Sequence, residues 1–408
     1  MPPIGVRTSE AREGPTRVRK SHTRASYRAI VVGISALAAT GCINPPPPDP
    51  TTPTATTRYF ADNASWNQTA AQLGKATDLQ TYADRLFRYG GVNQTTAGDL
   101  RTRFTDYSVP IWDAREATTT VRVFQETAQQ SNIDFRVPNG SQIPWNPTWK
   151  PAGGVDAAMA IVHPTTGFTY EFWRVNKGSC LGGGYNPFDP SHICIGGIWP
   201  TANIYRASDR DGTTQPVRGA GFNKVALVAR AEEVKTGRIR HALQLSVSNI
   251  MFGGPTCDPI SGTTASGAGT TCGFYLPPAT NIEWPSGPPP VCDNPPANTP
   301  TERGKTVPHG LRVALKITNA QIDAWLDRRG YTGELRSTAR VFAVALREYG
   351  AIVSETACGN VGMQTDGLIN GATKDTWNAL GITDSTVGEK LLIGLITPGS
   401  LYAVKPPT

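Results

Sequence analysis

Two carboxylates and an indole ring stand close together in residues 155–175, VDAAMAIVHPTTGFTYEFWRV. If the PTTG sequence forms a turn, these residues make a hairpin whose side chains alternate between its two faces. Asp156, Glu171 and Trp173 then share one face with small residues, which leaves room for a ligand. Sugar sites combine aromatic rings with acids or amides, so this face is predicted to bind carbohydrate.

The same residues are candidates for cleaving a sugar chain. Asp156 and Glu171 lie about four residues apart along the paired strands, or ~13 Å at ~3.3 Å per residue. Glycosidase acid pairs are separated by ~5 to 9.5 Å, so a partner acid from another strand is required. In an enzyme we expect Glu171 to be general acid or nucleophile, with Asp156 or His241 orienting the substrate. The alternatives are a solvated sheet face for both acids and packing of Trp173 against a helix.

A second strand, predicted for residues 239–248, repeats the division into one apolar face and one small, polar face. Gln244 lies in the polar row and is predicted to contact substrate, whereas His241 lies in the apolar row. A hydrogen-bonded core histidine is therefore the alternative to a catalytic role for His241. Trp145 and Trp149, in IPWNPTWKP, are predicted to form a binding platform at the rim of the site. Two strands of this kind predict a sandwich whose second face is a shallow groove.

Motifs for other kinds of chemistry are absent from the sequence. It contains no H-E-x-x-H and no G-x-S-x-G, and the glycine runs at 182–184 and 196–197 are not followed by Lys-Ser/Thr. No metal or cofactor is therefore expected. The formal net charge is +7, but the seven Lys or Arg and two Glu of residues 1–41 account for +5 of it. Because the rest of the chain carries only +2, a nucleic-acid partner is not expected either.

Residues 29–41, AIVVGISALAATG, form an apolar stretch that follows a basic segment. As a helix this stretch would cover ~20 Å, which is short of the ~30 Å hydrocarbon core of a membrane. The small residues before Cys42 resemble a bacterial lipoprotein signal, in which the cysteine receives the lipid. We therefore expect residues 1–41 to be a signal peptide and Cys42 to anchor the protein at the extracytoplasmic face of the membrane. The alternative is a secretory signal that is cut nearby and leaves Cys42 as a spare thiol.

The rest of the chain divides into three predicted parts. Residues 42–57 are rich in Pro and Thr, which predicts a stiff tether. Residues 58–105 carry short helical signals and are expected to pack on the main domain. Strand patterns dominate residues 106–408, which end in helical signals at 319–329 and 334–349. The apolar residues predicted to share one side of the second helix are Leu335, Ala339, Phe342 and Leu346. The fold is therefore expected to be mostly β with added helices.

Six cysteines remain once Cys42 is assigned to the lipid, and an even number in an exported chain favours disulfides. Many pairings are open to six cysteines, but closeness in sequence favours two local ones and leaves the third by elimination. These bridges would staple the long loops that rim the site. The expected pairs are Cys180–Cys194, Cys257–Cys272 and Cys292–Cys358.

Four segments resemble, in their order, a family of secreted, mostly uncharacterised bacterial β-sandwich proteins. They are YSVPIWDA, the D-x-x-M-x-I-V-x-P…Y-E-F-W hairpin, LVARAEEVKTGRIRHAL and ALREYGAIVSET. The resemblance implies a jelly-roll or concanavalin-like sandwich and a link to polysaccharides, and Asp156, Glu171 and His241 match its pattern. Such relatives often carry His where this chain has Ala158, which favours binding over cleavage.

Together these observations predict a cell-surface lipoprotein whose disulfide-stapled β-sandwich binds polysaccharide or cell-wall glycan, with cleavage as a further expectation. It would contact the membrane through its lipid anchor only. The alternative is a structural or adhesive surface module without catalytic activity. Exposure of Trp173 in a groove would favour binding, whereas burial under a helix would favour the structural module.

Overall fold

The residues that the structure describes lie after the predicted tether, within residues 58–407. The predicted signal peptide, Cys42 and the predicted tether lie outside the described residues. Among those described, no helix is long and apolar enough to cross a membrane. The computed structural model describes residues 58–92, 100–129, 135–180, 184–208, 219–251, 256–261, 273–283, 304–357 and 361–407.

The secondary structure alternates short strands with helices that are concentrated near the two ends of the described chain. The helices are α1 (Ala70–Leu73), α2 (Gln80–Tyr89), α3 (Ala231–Lys235), α4 (Asn319–Arg328), α5 (Gly333–Glu348), α6 (Gly371–Ala379) and α7 (Ser385–Glu389). The first strands are β1 (Arg101–Arg103), β2 (Ile111–Asp113), β3 (Thr119–Gln125), β4 (Ser141–Trp145), β5 (Met159–Val162), β6 (Thr169–Trp173), β7 (His192–Ile195) and β8 (Gly197–Thr201). The later strands are β9 (Leu243–Val247), β10 (Thr256–Ser261), β11 (Gly273–Tyr275), β12 (Arg312–Leu315), β13 (Ala351–Thr356), β14 (Gly362–Gln364) and β15 (Leu401–Val404).

Within the described chain these strands form three mixed sheets and one two-stranded ribbon. The sheets have the orders β1-β14-β9-β13-β12-β15, β2-β5-β6-β8 and β4-β3-β7, and β10 pairs with β11. Each of the three sheets contains a parallel pair, for example β9 with β13, β2 with β5 and β3 with β7. The prediction of a β-rich fold with added helices is confirmed. The finer prediction of a jelly-roll or concanavalin-like sandwich is not confirmed, because a jelly roll pairs its strands antiparallel.

The hairpin of β5 and β6 has the register that the sequence predicted. Ala160 pairs with Glu171, and the turn closes where the N–H of Gly167 donates to the carbonyl of His163 at 2.8 Å. Gly167 has a φ of 74°, a left-handed conformation that glycine adopts without steric cost. The face of the hairpin opposite Glu171 is buried in an apolar cluster. That cluster includes Trp145, Trp149, Met159, Ile161 and Phe172.

Helices α2, α4, α5 and α6 pack against the six-stranded sheet in the largest apolar cluster. Helix α4 begins with a capping box, in which the side chains of Thr318 and Gln321 each accept from the backbone N–H of the other residue. Helix α5 buries Ala339, Phe342 and Leu346, the apolar side that the sequence predicted. The capping box of α4 and the apolar spacing of α5 therefore account for where these two helices form.

The other face of the β5–β6 hairpin, which was predicted to be a groove, is filled by protein. Residues 219–229, here called the interlayer segment, contact both the hairpin and the six-stranded sheet. The N–H of Lys224 donates to the Glu171 carboxylate on β6, and the N–H of Gln244 on β9 donates to the Leu227 carbonyl at 2.9 Å. The predicted groove is closed because apolar residues of this segment bury against both layers. The shared cluster includes Ala158, Ala160, Val162, Phe222, Val225, Leu227, Ala242 and Ile352.

Cys180 and Cys194 form the predicted local disulfide, with their Cα atoms 5.7 Å apart. The bridge packs in a small cluster with Phe124 and Tyr185, so it joins the loop before β7 to the body of the domain. The other predicted bridges lie outside the part of the chain whose side chains are described. They involve Cys257, Cys272, Cys292 and Cys358.

Candidate functional site

Asp156 and Trp173 meet at the open end of the β5–β6 hairpin. Nε1–H of Trp173 donates to Oδ1 of Asp156 at 3.1 Å, and both residues are half-buried. Their neighbours Ala157 and Arg174 have φ angles of 36° and 57°, a left-handed conformation that costs a residue with a side chain ~1 kcal/mol or more. The N–H of Arg174 donates to the carbonyl of Asp156 at 2.7 Å. This bent end of the hairpin therefore holds the Asp156 carboxyl against the indole ring.

Burial raises the pKa of the Asp156 carboxyl above its ordinary value. The ammonium of Lys224 and the indole hydrogen bond oppose this rise, whereas the carboxylate of Glu355 adds to it. A raised pKa favours the protonated carboxyl, which is the form that can donate a proton.

A buried ion pair lies beside Asp156. Lys224 of the interlayer segment is 1% exposed and places Nζ 2.9 Å from Oε1 of Glu355 on β13. Each of these charges needs the other, because either one left alone in the interior would be strongly destabilising. Glu355 lies on β13 of the six-stranded sheet, whereas Asp156 lies just before β5 of the four-stranded sheet, so the ion pair and Asp156 come from different sheets.

Glu171 belongs to the same cluster, but its carboxylate is hydrogen-bonded to the backbone of the interlayer segment. It is fully buried, and it accepts from the N–H of Lys224 at 2.5 Å and from the side-chain amide of Asn223 at 3.1 Å. Since protein encloses this carboxylate, its position does not support the predicted role as general acid or nucleophile. Glu171 instead anchors the interlayer segment. Asp156, Glu171, Lys224 and Glu355 are called the acid–lysine cluster below.

His241 lies in a second buried cluster, the arginine network of Arg230, Glu233, His241 and Asp366. The Arg230 guanidinium makes a two-pronged ion pair with Glu233, at 2.9 Å and 3.1 Å. Nε2 of His241 lies 3.2 Å from Oε2 of Glu233, and Nδ1 lies 2.8 Å from the carbonyl oxygen of Ala242. Both ring nitrogens are therefore used inside the protein. This arrangement is the hydrogen-bonded core histidine that the sequence left open as an alternative.

Asp366 completes the arginine network at the start of α3. Its oxygens accept from the N–H of Ala231 at 3.1 Å and 3.2 Å, and Oδ1 accepts from Nε1–H of Trp377 at 2.8 Å. Burial raises the pKa of Asp366 to about 7 in spite of these hydrogen bonds. Burial also acts to raise the pKa of Glu233, but the charges of Arg230 and the histidine outweigh it and lower that pKa to about 2. The network thus holds one carboxyl that titrates near neutral pH and one that stays ionised.

The remaining predicted sugar-binding residues lie in the interior. Trp145 and Trp149 are 7% and 4% exposed, with ring centroids 5.9 Å apart, so they belong to the core and form no exposed platform. Gln244 is fully buried and donates from Nε2 to Oγ of Ser354 at 3.1 Å. Of the four residues predicted to bind a sugar, Trp173 is half-buried and the other three are buried.

Sequence reasoning missed Lys224, Glu355, Arg230 and Asp366. Two of these residues interrupt apolar stretches, FNKVALVA around Lys224 and AIVSETA around Glu355. A charged residue inside an apolar stretch indicates a buried charge that must be paired, and this signal would have found both. The pairing itself could not be predicted from the sequence, because Lys224 and Glu355 are 131 residues apart in the chain.

Proton transfer is the chemistry that the acid–lysine cluster can perform. Within the described part of the chain, no three His, Cys, Asp or Glu side chains are placed so that they could hold a metal ion. In this cluster the positive charge comes from Lys224, which lies beside Glu355 and stabilises the charged form of Asp156. A carboxyl with a raised pKa is suited to donate a proton.

Comparisons of the chain with protein-family models, with curated proteins and with solved structures give no match. The family resemblance noted from the four sequence segments therefore stays a prediction. The function has to be inferred from the side chains of the candidate site.

Proposed function

We propose that this protein is an exported, lipid-anchored surface protein that binds polysaccharide where Asp156 and Trp173 meet. The contact between the half-buried indole and the Asp156 carboxyl carries this proposal. An indole face packs well against the C–H face of a pyranose ring, and a carboxyl hydrogen-bonds sugar hydroxyls. Because the bent hairpin end fixes both groups beforehand, little conformational freedom is lost when a sugar binds.

In this proposal Asp156 also protonates a glycosidic oxygen. Its proton passes to the bridging oxygen while the bond between that oxygen and the sugar carbon breaks. A water molecule then adds to the sugar carbon, and its proton passes to the Asp156 carboxylate, which restores the carboxyl. This proposal gives Asp156 the role of general acid that the sequence had assigned to Glu171.

Binding is tested with purified full-length protein and a panel of β-glucan, xylan, mannan and peptidoglycan fragments. We expect Trp173→Ala to weaken binding about tenfold or more, because truncating a central aromatic contact typically costs more than ~1 kcal/mol. Trp199→Ala is the matched control, since Trp199 is half-buried on the neighbouring strand β8 beneath the guanidinium of Arg136. Equal losses in the two variants would show a general loss of structure and would contradict the proposed site.

The anchored location rests on the apolar stretch of residues 29–41 and the small residues before Cys42. A bacterial culture fed radiolabelled fatty acid is expected to label the wild-type protein but not Cys42→Ser. Label retained by Cys42→Ser would rule out this anchor and leave an ordinary secretory signal.

A structural or adhesive surface module is the second candidate, and one observation favours it. The interlayer segment fills the face of the hairpin on which Glu171 lies, so this face offers no groove. On this hypothesis the acid–lysine cluster only joins the two layers. Wild-type protein that binds no member of the glycan panel would favour the structural module.

A further inference from the structure

The loop closed by the Cys180–Cys194 disulfide presents an aromatic ring to solvent. Phe188 is 92% exposed. Tyr185 of the same loop is turned inward, with its ring centroid 5.4 Å from that of the buried Phe124. An exposed Phe ring gives up the free energy that its burial would supply. A loop that packs one ring inward and points another outward leaves the outward ring, Phe188, open to contact by a ligand.

The tip of this loop is fixed by two consecutive turns. The N–H of Asp189 donates to the carbonyl of Asn186 at 3.1 Å, with Pro187 as second residue of that turn. The N–H of His192 donates to the carbonyl of Asp189 at 2.9 Å, with Pro190 as second residue. Proline suits this position because its φ angle is already fixed. The backbone on both sides of Phe188 is therefore ordered before any ligand binds.

Side chains brace the same two turns. Oδ1 of Asn186 accepts from the N–H of Phe188 at 3.0 Å, and Oδ1 of Asp189 accepts from the N–H and hydroxyl of Ser191 at 2.9 Å and 2.6 Å. Nδ1 of His192 accepts from the N–H of Asn186 at 2.9 Å, and its Nε2 lies 3.3 Å from Oδ2 of Asp189. Such preorganisation lets a ligand bind Phe188 without the cost of ordering a loop.

The base of the loop is hydrogen-bonded to the end of the hairpin that carries the proposed site. The N–H of Gly196 donates to the carbonyl of Trp173 at 3.0 Å. The N–H of Asn176 donates to the carbonyl of Cys194 at 2.7 Å, and Oδ1 of Asn176 accepts from the N–H of Cys194 at 3.0 Å. We propose that Phe188 is a second stacking contact of the same polysaccharide-binding site and takes the C–H face of a pyranose ring. This inference rests on the proposed function.

The composition of the loop favours a sugar ring over a lipid surface or a protein partner. Residues 184–194 contain no Lys or Arg, and Asp189 follows Phe188 directly, which opposes contact with anionic lipid. Protein interfaces are built on clusters of aromatic anchors. Among the described residues, by contrast, the large apolar side chains that are exposed are Tyr89, Val155 and Phe188. One isolated, rigid ring matches one sugar ring.

The test uses purified full-length protein and the polysaccharide of the panel that the wild type binds most tightly. We expect Phe188→Ala and Phe188→Leu to bind about tenfold more weakly, because both lack the aromatic face. Phe188→Trp keeps a stacking surface and should bind within about twofold of the wild type. Tyr89→Ala removes an exposed ring elsewhere, 44% exposed in the native protein, and should leave binding unchanged. Thermal unfolding should be the same for every Phe188 variant, because this ring contributes nothing to the core.

Several outcomes would overturn the stacking contact and leave the proposed function standing. One is that Phe188→Ala binds the polysaccharide as tightly as the wild type, and another is that Phe188→Leu does so. A third is that Phe188→Ala loses binding only to vesicles of anionic lipid. Wild-type protein that binds no polysaccharide of the panel would overturn both proposals. A loss confined to the Phe188 variants, with Trp173→Ala unaffected, would keep Phe188 as a sugar contact and remove Trp173 from the site.

Discussion

The acid–lysine cluster and the arginine network are both groups of buried ionisable side chains, but they differ in access to solvent. In the network, Arg230 and His241 face Glu233, and the oxygens of Asp366 are bonded to backbone and indole N–H groups in the interior. In the acid–lysine cluster, Asp156 and Trp173 are half-buried residues, and the Asp156 carboxyl accepts from Nε1–H of Trp173.

This comparison shows that a raised pKa alone does not mark a catalytic acid. Burial raises the pKa of both Asp156 and Asp366. Asp366 nevertheless has no route to a substrate, since it is 6% exposed and lies against Trp377. Perturbed acids serve either structure or function, and the exposure of the group separates the two cases.

The largest expected effect is on stability in the arginine network. Arg230→Ala leaves the Glu233 carboxylate buried without its two-pronged partner, and we expect it to lower the free energy of unfolding by about 3–5 kcal/mol. Denaturant unfolding at pH 7 measures this loss, with Arg230→Lys as a control that keeps the charge. A loss below ~1 kcal/mol would mean that the network contributes little to stability, and the contrast between the two clusters would fail.

The second effect is on catalysis in the acid–lysine cluster. We expect Asp156→Asn to slow polysaccharide cleavage by about 100-fold or more, because the amide cannot supply a proton. The variant should be at least as stable as the wild type, since the raised pKa means that the ionised Asp156 is unfavourable in the fold. Release of reducing ends measures the rate.

Asp366→Asn is the matched control for this experiment. It removes a carboxyl whose pKa is raised to about 7, but one that lies in the interior, so cleavage should be unchanged. Equal rates for Asp156→Asn and the wild type would remove Asp156 from catalysis and leave both clusters structural.

The smallest effect is a change in the pH dependence of stability. The pKa of Asp366 is raised from 3.8 to about 7, so the folded protein keeps a proton there that the unfolded chain releases. Its contribution to stability is therefore lost as pH rises from about 4 to about 7. Between pH 5 and pH 8, we expect the free energy of unfolding of the wild type to fall by about 2 kcal/mol more than that of Asp366→Asn.

Denaturant unfolding at several pH values checks this expectation. Glu233 does not interfere, because its pKa is lowered to about 2 and its contribution is lost only as pH falls below about 4.5. Parallel pH profiles for the wild type and Asp366→Asn would show that Asp366 titrates as it does in the unfolded chain.

The features that the sequence predicted correctly depend on residues close together in the chain. The register of the β5–β6 hairpin follows from a four-residue turn and alternating side chains. The buried side of α5 follows from the spacing of Ala339, Phe342 and Leu346. The Cys180–Cys194 bridge was expected from the short separation of its cysteines.

The features that the sequence did not reveal depend on which distant segments meet. A strand face with small residues, such as Ala158 and Ala160, fits a ligand groove and a closely packed chain segment equally well. Only the tertiary structure shows that the interlayer segment occupies it. For the same reason Glu171 was assigned to catalysis, although its carboxylate binds the N–H of Lys224, 53 residues further along the chain.

The strand order of the six-stranded sheet has a consequence for how the protein is made. The sheet pairs β1 with β14 and β12 with β15, so its strands come from near both ends of the described chain. Folding that depends on such distant pairs is slow, and here the sheet cannot be completed until β15 has been synthesised. A chain that stops before β15 would leave the apolar strand β12 as an open edge, which is a template for pairing with other chains. Premature termination near the C-terminus should therefore produce aggregates in place of a slightly shortened protein.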